Sequence, residues 1–231
     1  MMITIHQGHS HILESSDITI VIDVIRAFTV AHYAFIKGAK QILLVGTTEE
    51  AFTLKKEHPH FLLAGEKHGI AINGFDFDNS PKRISEERLG DKTLVQKTTN
   101  GVRATLNSLN SKCLFVTGYS NAKTTANYIK KINNTSQRDL KITVIASHPS
   151  GDDDLACAEY IRGLILGKGF LTNVEVEERI KNAHVAQKFF DPNNLDFNYE
   201  DITFCAHERE SNFVMKVNQS NQIPTIERID I

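Results

Sequence analysis

Cysteine is scarce in this 231-residue chain, and the three it has are poorly placed to staple it. Cys113, Cys157 and Cys205 are odd in number, far apart and never in a CxxC pair. That argues against a disulfide framework or a structural zinc site and fits a reducing cytoplasm. Long apolar runs are missing too. No stretch approaches the ~20 residues that span a bilayer, and the start, Met1-Met2-Ile3-Thr4-Ile5-His6, reaches no apolar run of signal-peptide length. Neither sign of charge dominates: 26 Lys and Arg stand against 28 Asp and Glu, a net of -2. Nothing electrostatic therefore points to nucleic acid or an anionic membrane, and any anion site must be local. Internal repeats, low-complexity tracts and clear linkers are absent as well.

What is present is an ordinary globular composition, 41% apolar and 23% charged, with enough chain for one sizeable core. The pattern predicts strands over 18–23, 41–45, 61–64, 93–97, 113–117 and 141–146. Helices are expected over about 27–37, from Thr47, after Gly101, over about 121–132 and from Asp152 to about Leu166. Repeated strand–helix units imply an α/β fold, a three-layer α/β/α arrangement with a largely parallel or mixed sheet. A further helix follows Thr172, then strand-like pieces over 202–206, 213–217 and 225–229. A single domain over 1–231 is expected, with 170–231 as a C-terminal subdomain or sheet edge.

Three polar stretches directly follow predicted strands: Asp23-Val24-Ile25-Arg26-Ala27, Lys97-Thr98-Thr99-Asn100-Gly101, and Thr117-Gly118-Tyr119-Ser120-Asn121-Ala122. In an open α/β sheet, ligands bind outside the carboxyl ends of the strands. Helices starting there offer unpaired N–H groups and a positive dipole end, a natural seat for phosphate. Each stretch alone also reads as plain helix capping. Asp23 can hold Mg²⁺ and Arg26 can grip phosphate; equally, Asp23 can cap the next helix with Arg26 as its ion-pair partner. A second Asp two residues after Asp23, the haloacid-dehalogenase signature, is missing.

The segment Gly65–Pro81 reads as a long functional loop, rich in glycine and acids. Glu66, Asp76 and Asp78 are hard oxygen donors suited to Mg²⁺, and Asn79 and Ser80 are neutral hydrogen-bonding groups. Asx turns would explain the same residues. Asp152, Asp153 and Asp154 open a helix, where acids suit the dipole, but three adjacent carboxylates also invite a divalent cation. His6, His9, His11, His58 and His60 show no metal-ligand spacing. His68 and His148 are better placed, and either could serve as a general acid.

Read in order, these blocks resemble the 2-phosphosulfolactate phosphatase family. The resemblance runs through Val21–Ala27, Gly65-Glu66 and Gly69, Gly74-Phe75-Asp76 with Asn79-Ser80-Pro81, Thr98–Gly101, Ser120–Ala122, and Asp153-Asp154 before Cys157-Ala158. Residues 18 to 165 carry it well and the C-terminal third only loosely. Asp78, Val102, Asp153 and Glu159 depart from the pattern. The resemblance implies an α/β, Mg²⁺-dependent enzyme that hydrolyses 2-phospho-3-sulfolactate, a step in routes to coenzyme M or sulfolactate.

The expectation is a phosphomonoester hydrolase with Asp23, Arg26, Glu66 and Asp76 as catalytic residues. Asn79, Ser80, Thr98, Thr99, Asn100, Gly101, Ser120 and Asn121 bind substrate, and Asp23, Glu66, Asp153 and Asp154 hold Mg²⁺. Its partner is a small anionic phosphoester rather than nucleic acid or membrane, and the size suits a twofold homodimer. Two rivals are a non-catalytic protein that binds phosphometabolites and a phosphatase for another carboxylated phosphoester.

Overall fold

A computed structural model describes residues 2–10, 15–168 and 171–231, and His11 lies outside them. Strand β2 (Ile18–Ile22) shows how the core is built. All five of its residues are buried, and alternate strand residues face opposite ways. Val21 packs into a cluster with Phe28, Val30 and Ala31 of helix α1 (Ala27–Ile36). Ile18, Ile20 and Ile22 join the opposite cluster, with Ala126 and Ile129 of one helix and Ala156 and Ile161 of another. A strand covered on both faces needs an unbroken apolar run, which is what these residues supply.

Among the described residues the sheet has ten strands. One parallel block orders β1 (Met2–Gln7), β8 (Lys141–Ala146), β2 and β7 (Cys113–Thr117). A second parallel block orders β3 (Gln41–Leu44), β6 (Thr93–Lys97) and β4 (Leu62–Lys67), with β5 (Ile70–Ala71) added antiparallel. The antiparallel hairpin β9 (Phe213–Asn218) and β10 (Thr225–Asp230) joins the blocks, pairing β7 on one side and β3 on the other. The sheet is therefore mixed. Helix α2 (Thr48–Glu57) covers the far face of the second block through Ala51 and Leu54 against Leu43, Leu63 and Val95. This is a three-layer α/β/α arrangement.

The topology has a consequence for the site. Three successive antiparallel pairings separate β7 from β3, so the two parallel blocks run in opposite senses. A flat sheet would put their carboxyl ends at opposite edges. Yet the amide of Gly101, just after β6, donates to the Asp23 carboxylate, just after β2, at 2.8 Å. Right-handed twist accumulates strand by strand, and the β10–β3 pairing that links the blocks is two residues wide. The twist brings both sets of strand ends to one place.

Three expectations change. The C-terminal strands are the middle of the sheet rather than an edge. The piece at 202–206 belongs to a helix, α8 (Tyr199–Cys205), whose N-terminus is capped by Asn198 accepting from Glu200 N at 2.9 Å. The supposed loop from Gly65 continues β4 as far as Lys67. Gly65 is required there: its φ is +146°, and a Cβ would lie 1.9 Å from the Lys97 carbonyl oxygen. β1 had no forecast, because its residues are half-exposed at an outer position.

Candidate active site

A cavity of about 390 Å³ opens where the strand ends meet. Asp23, Arg26, Glu66, Asn79, Thr99 and Asn100 line it, and His148, Lys188 and Phe189 close its far side. Asp23 is 6% exposed. One carboxylate oxygen accepts from Ala27 N at 2.9 Å, the other from Gly101 N at 2.8 Å. A single carboxylate thus spans the N-termini of α1 and α4 (Gly101–Leu106), where helix dipoles favour negative charge. Gly101 leaves room for it, since a Cβ there would fall 2.6 Å from Asp23 Oδ2.

Glu66 organises the neighbouring loops. Its oxygens accept from Thr99 N and Gly69 N, both at 2.5 Å, and from Thr99 Oγ1 at 2.9 Å. The amides of Thr99 and Gly101 are therefore bonded to the protein's own carboxylates, so this turn is no open phosphate cradle. Its side chains remain at the wall. Thr98 caps its helix by accepting from Val102 N at 3.1 Å, and it faces a neighbouring cavity.

Asp153 and Asp154 lie beneath the cavity, 1% and 2% exposed. Asp154 accepts from Val24 N at 2.7 Å, Ser147 Oγ at 3.0 Å and His148 N at 2.9 Å. Asp153 Oδ1 is buried with no hydrogen-bond partner. Burial raises the Asp23 carboxyl to about 8, and the charges of Asp154 and Glu66 add to it. Burial, then the charge of Asp23, raises Asp153 to about 7. Asp154 is raised by burial and then by Asp153. These acids resist ionising together because each is buried and their charges repel one another. Asp152 turns outward instead, paired with Arg179.

Arg26 is clamped. It donates to Asp201 Oδ2 at 2.7 Å and to the Gly69 carbonyl at 3.3 Å. The Phe189 and Phe197 rings lie 4.9 Å and 5.7 Å from its guanidinium carbon, a cation–π setting. Asp201 also accepts from Ser80 Oγ at 2.6 Å and Lys82 N at 3.2 Å. So Ser80 ties the loop to α8 and caps α3 (Pro81–Glu86), its Oγ accepting from Arg83 N at 3.1 Å, and it does not line the cavity. Asn79 does, and its buried carbonyl oxygen has no partner. Lys188 stands 4.4 Å from the Phe197 ring centre. His148 Nδ1 accepts from Ser150 N at 3.2 Å, which leaves the ring hydrogen on Nε2. Burial, then His184 and Lys188, lowers its pKa, so at neutral pH the ring is uncharged with its one hydrogen on Nε2.

Three forecast residues stand elsewhere. Asp76 pairs with Lys55 at 3.1 Å and accepts from Leu63 N at 2.8 Å, pinning the loop to α2 and β4. Ser120 and Asn121 are fully buried. Ser120 Oγ lies 2.9 Å from His32 Nδ1, and Asn121 Oδ1 accepts from Thr117 Oγ1 at 3.0 Å and Gly118 N at 3.3 Å. Their turn satisfies itself and faces no cavity. Asp201, Lys188, Phe189 and Phe197 escaped sequence reading; only the first-turn position of Asp201 after Asn198 carried a signal, and it was a capping one.

Residues 3–220 match the model of the family described as 2-phosphosulpholactate phosphatase. The chain belongs to the 2-phosphosulfolactate phosphatase family. A relative from Bacillus subtilis, named "Probable 2-phosphosulfolactate phosphatase", is 58% identical over 231 residues, all of both chains. A relative of the same name from Caldicellulosiruptor saccharolyticus is 32% identical over 85% of this chain and 84% of its own. One from Carboxydothermus hydrogenoformans is 36% identical over 63% of this chain and 59% of its own. The family match extends through α8 and β9, so the part of the chain that supplies Asp201 and Lys188 lies inside it.

Proposed function

We propose that this member of the family hydrolyses the phosphate ester of 2-phosphosulfolactate, releasing sulfolactate and phosphate in the Asp23 cavity with Mg²⁺ bound. The observation that carries the reading is the clamped Arg26 beside the buried carboxylate of Asp23 in one concave site. Arg26 has five N–H donors, two of them used, and the rest suit a phosphoryl oxygen. Lys188, which lies over the same two phenylalanine rings, adds a second cation.

The donor set suits Mg²⁺. Among the described residues no three His, Cys, Asp or Glu side chains converge as a ready-made cage. Mg²⁺ does not need one: it is usually held by one or two carboxylates, with water and substrate phosphate completing its octahedron. Asp23 and Glu66 face the cavity, and Asn79 offers an unpartnered carbonyl oxygen. These three would hold the ion, with Asp153 and Asp154 buried beneath them. When bound, Mg²⁺ would neutralise phosphoryl charge and lower the pKa of a coordinated water. Arg26 holds the phosphate in line. Phe189 shields Arg26 from solvent.

Three free cysteines, two of them buried, suit a reducing compartment, and the cytoplasm is the setting proposed. No helix among the described residues is long and apolar enough to cross a membrane.

The test is phosphate release from synthetic 2-phosphosulfolactate by EDTA-treated protein, with and without added Mg²⁺. Release that depends on Mg²⁺ is expected. No release from folded protein would defeat the reading, and release only from other phosphomonoesters would keep the reaction and remove the substrate.

A further inference from the structure

A second cavity of about 500 Å³ adjoins the first, and His68 and Thr99 belong to the walls of both. The first is lined by two acids and two bases, whereas the second is basic. Lys67, Lys97 and Arg103 line it, against Glu49 as the single carboxylate among its described lining residues. Lys97 is 9% exposed, and its ammonium makes one hydrogen bond, to the Glu66 carbonyl oxygen at 3.1 Å. An ammonium has three donors, so two of them point nowhere within the protein. Arg103 stands exposed on α4 at the rim, and no described carboxylate pairs with it. A desolvated cation is costly unless an anion meets it; Lys97 is such a cation, and Arg103 shares its cavity beside the phosphate site.

We propose that this second cavity is the subsite for the sulfonate arm of the substrate, with Lys97 and Arg103 as its specificity-determining residues. The inference rests on the function proposed above. The sulfonate is permanently ionised and offers three acceptor oxygens, matching the spare donors of Lys97 and the guanidinium fork of Arg103. Thr99, common to both walls, sits at the junction, where the carbon skeleton between phosphate and sulfonate would lie.

The experiment compares kcat/KM for 2-phosphosulfolactate and for 2-phospholactate, in which a methyl replaces the sulfomethyl group. It uses the wild type, Arg103→Gln and Lys97→Met. Arg103 is exposed, so its variant keeps the proposal testable if Lys97→Met does not fold. The ratio of the two kcat/KM values should fall at least tenfold in each folded variant. An unchanged ratio, with both esters slowed equally or neither slowed, would overturn the proposal. Isethionate titrated calorimetrically separates this from the substrate reading. If the wild type hydrolyses neither ester, that reading fails, and the subsite still stands only if isethionate binds and Arg103→Gln weakens it at least fivefold. Equal binding, or none to the wild type, would overturn the subsite as well.

Discussion

Arg26 and Asp201 form a buried ion pair at 2.7 Å, with side chains 4% and 1% exposed, across a separation of 175 residues. The pair locks a strand-end motif of the phosphatase core to helix α8. It also fixes Ser80, so one carboxylate orients the Arg26 guanidinium and the loop that carries Asn79.

Removing Asp201 should therefore do two things. Asp201→Ala leaves a buried guanidinium without its partner, a loss on the order of 3–5 kcal/mol, to be seen as a lowered urea midpoint. Asp201→Asn keeps the shape but not the charge. It should stay folded while KM for the phosphoester rises more than kcat falls, because Arg26 is no longer held towards the phosphate. Kinetics like those of the wild type in Asp201→Asn would show that Arg26 needs no anchor.

Gly101 and Gly90 make a matched pair. A methyl at Gly101 would stand 2.6 Å from Asp23 Oδ2 and 2.8 Å from Asp23 Cβ. Gly101→Ala should displace the carboxylate and lower kcat about 10²-fold, as misplacement by about 1 Å can. Gly90 has nothing within 4 Å of an added Cβ. Gly90→Ala should leave turnover unaltered and raise stability by a few tenths to about 1 kcal/mol. Turnover assays and thermal melts read both, and equal effects would contradict the steric argument.

His32 predicts a pH dependence of stability. Burial, then the charges of Arg209 and Arg228, lowers its pKa from 6.5 to about 3. Its Nε2 is buried with no partner. The unfolded chain takes up this proton below about pH 6.5, whereas the folded chain refuses it until about pH 3. Stability is thus undiminished by His32 above pH 6.5 and falls as pH drops from there towards 3, by up to about 1.4 kcal/mol per pH unit. Urea titrations from pH 7.5 to 4.5 should show a shallower slope for His32→Gln than for the wild type. Parallel curves would sink the assignment.

Much of this was legible in the chain. The run from Ile18 to Ile22 reads as a doubly covered strand because every residue is apolar, and Thr47 with Glu50 forms the capping box their spacing implies. Ile202–Ala206 misled because a β-branched and an aromatic residue dominate a short helix whose cap, Asn198, lies outside the run. Gly65 looked like a breaker, yet only glycine lets β4 pass so close to Lys97. The turn at Ser120-Asn121 has the composition of an anion cradle, but His32 on α1 fills the space its hydroxyl would have offered a ligand. Asp201 could not be found from spacing at all: nothing local distinguishes an acid in a first helical turn from one that reaches across the fold.

The central claim is that Asp23 is the site's working carboxylate, and Asp23→Asn tests it most directly. The variant keeps the side chain's size and one acceptor for the amides of Ala27 and Gly101, so its circular dichroism should match the wild type. Mg²⁺-dependent phosphate release from 2-phosphosulfolactate should fall on the order of 10²–10³-fold or more, as when one preorganised electrostatic partner is removed. Release near the wild-type rate from the folded variant would contradict the account and move the chemistry out of this cavity.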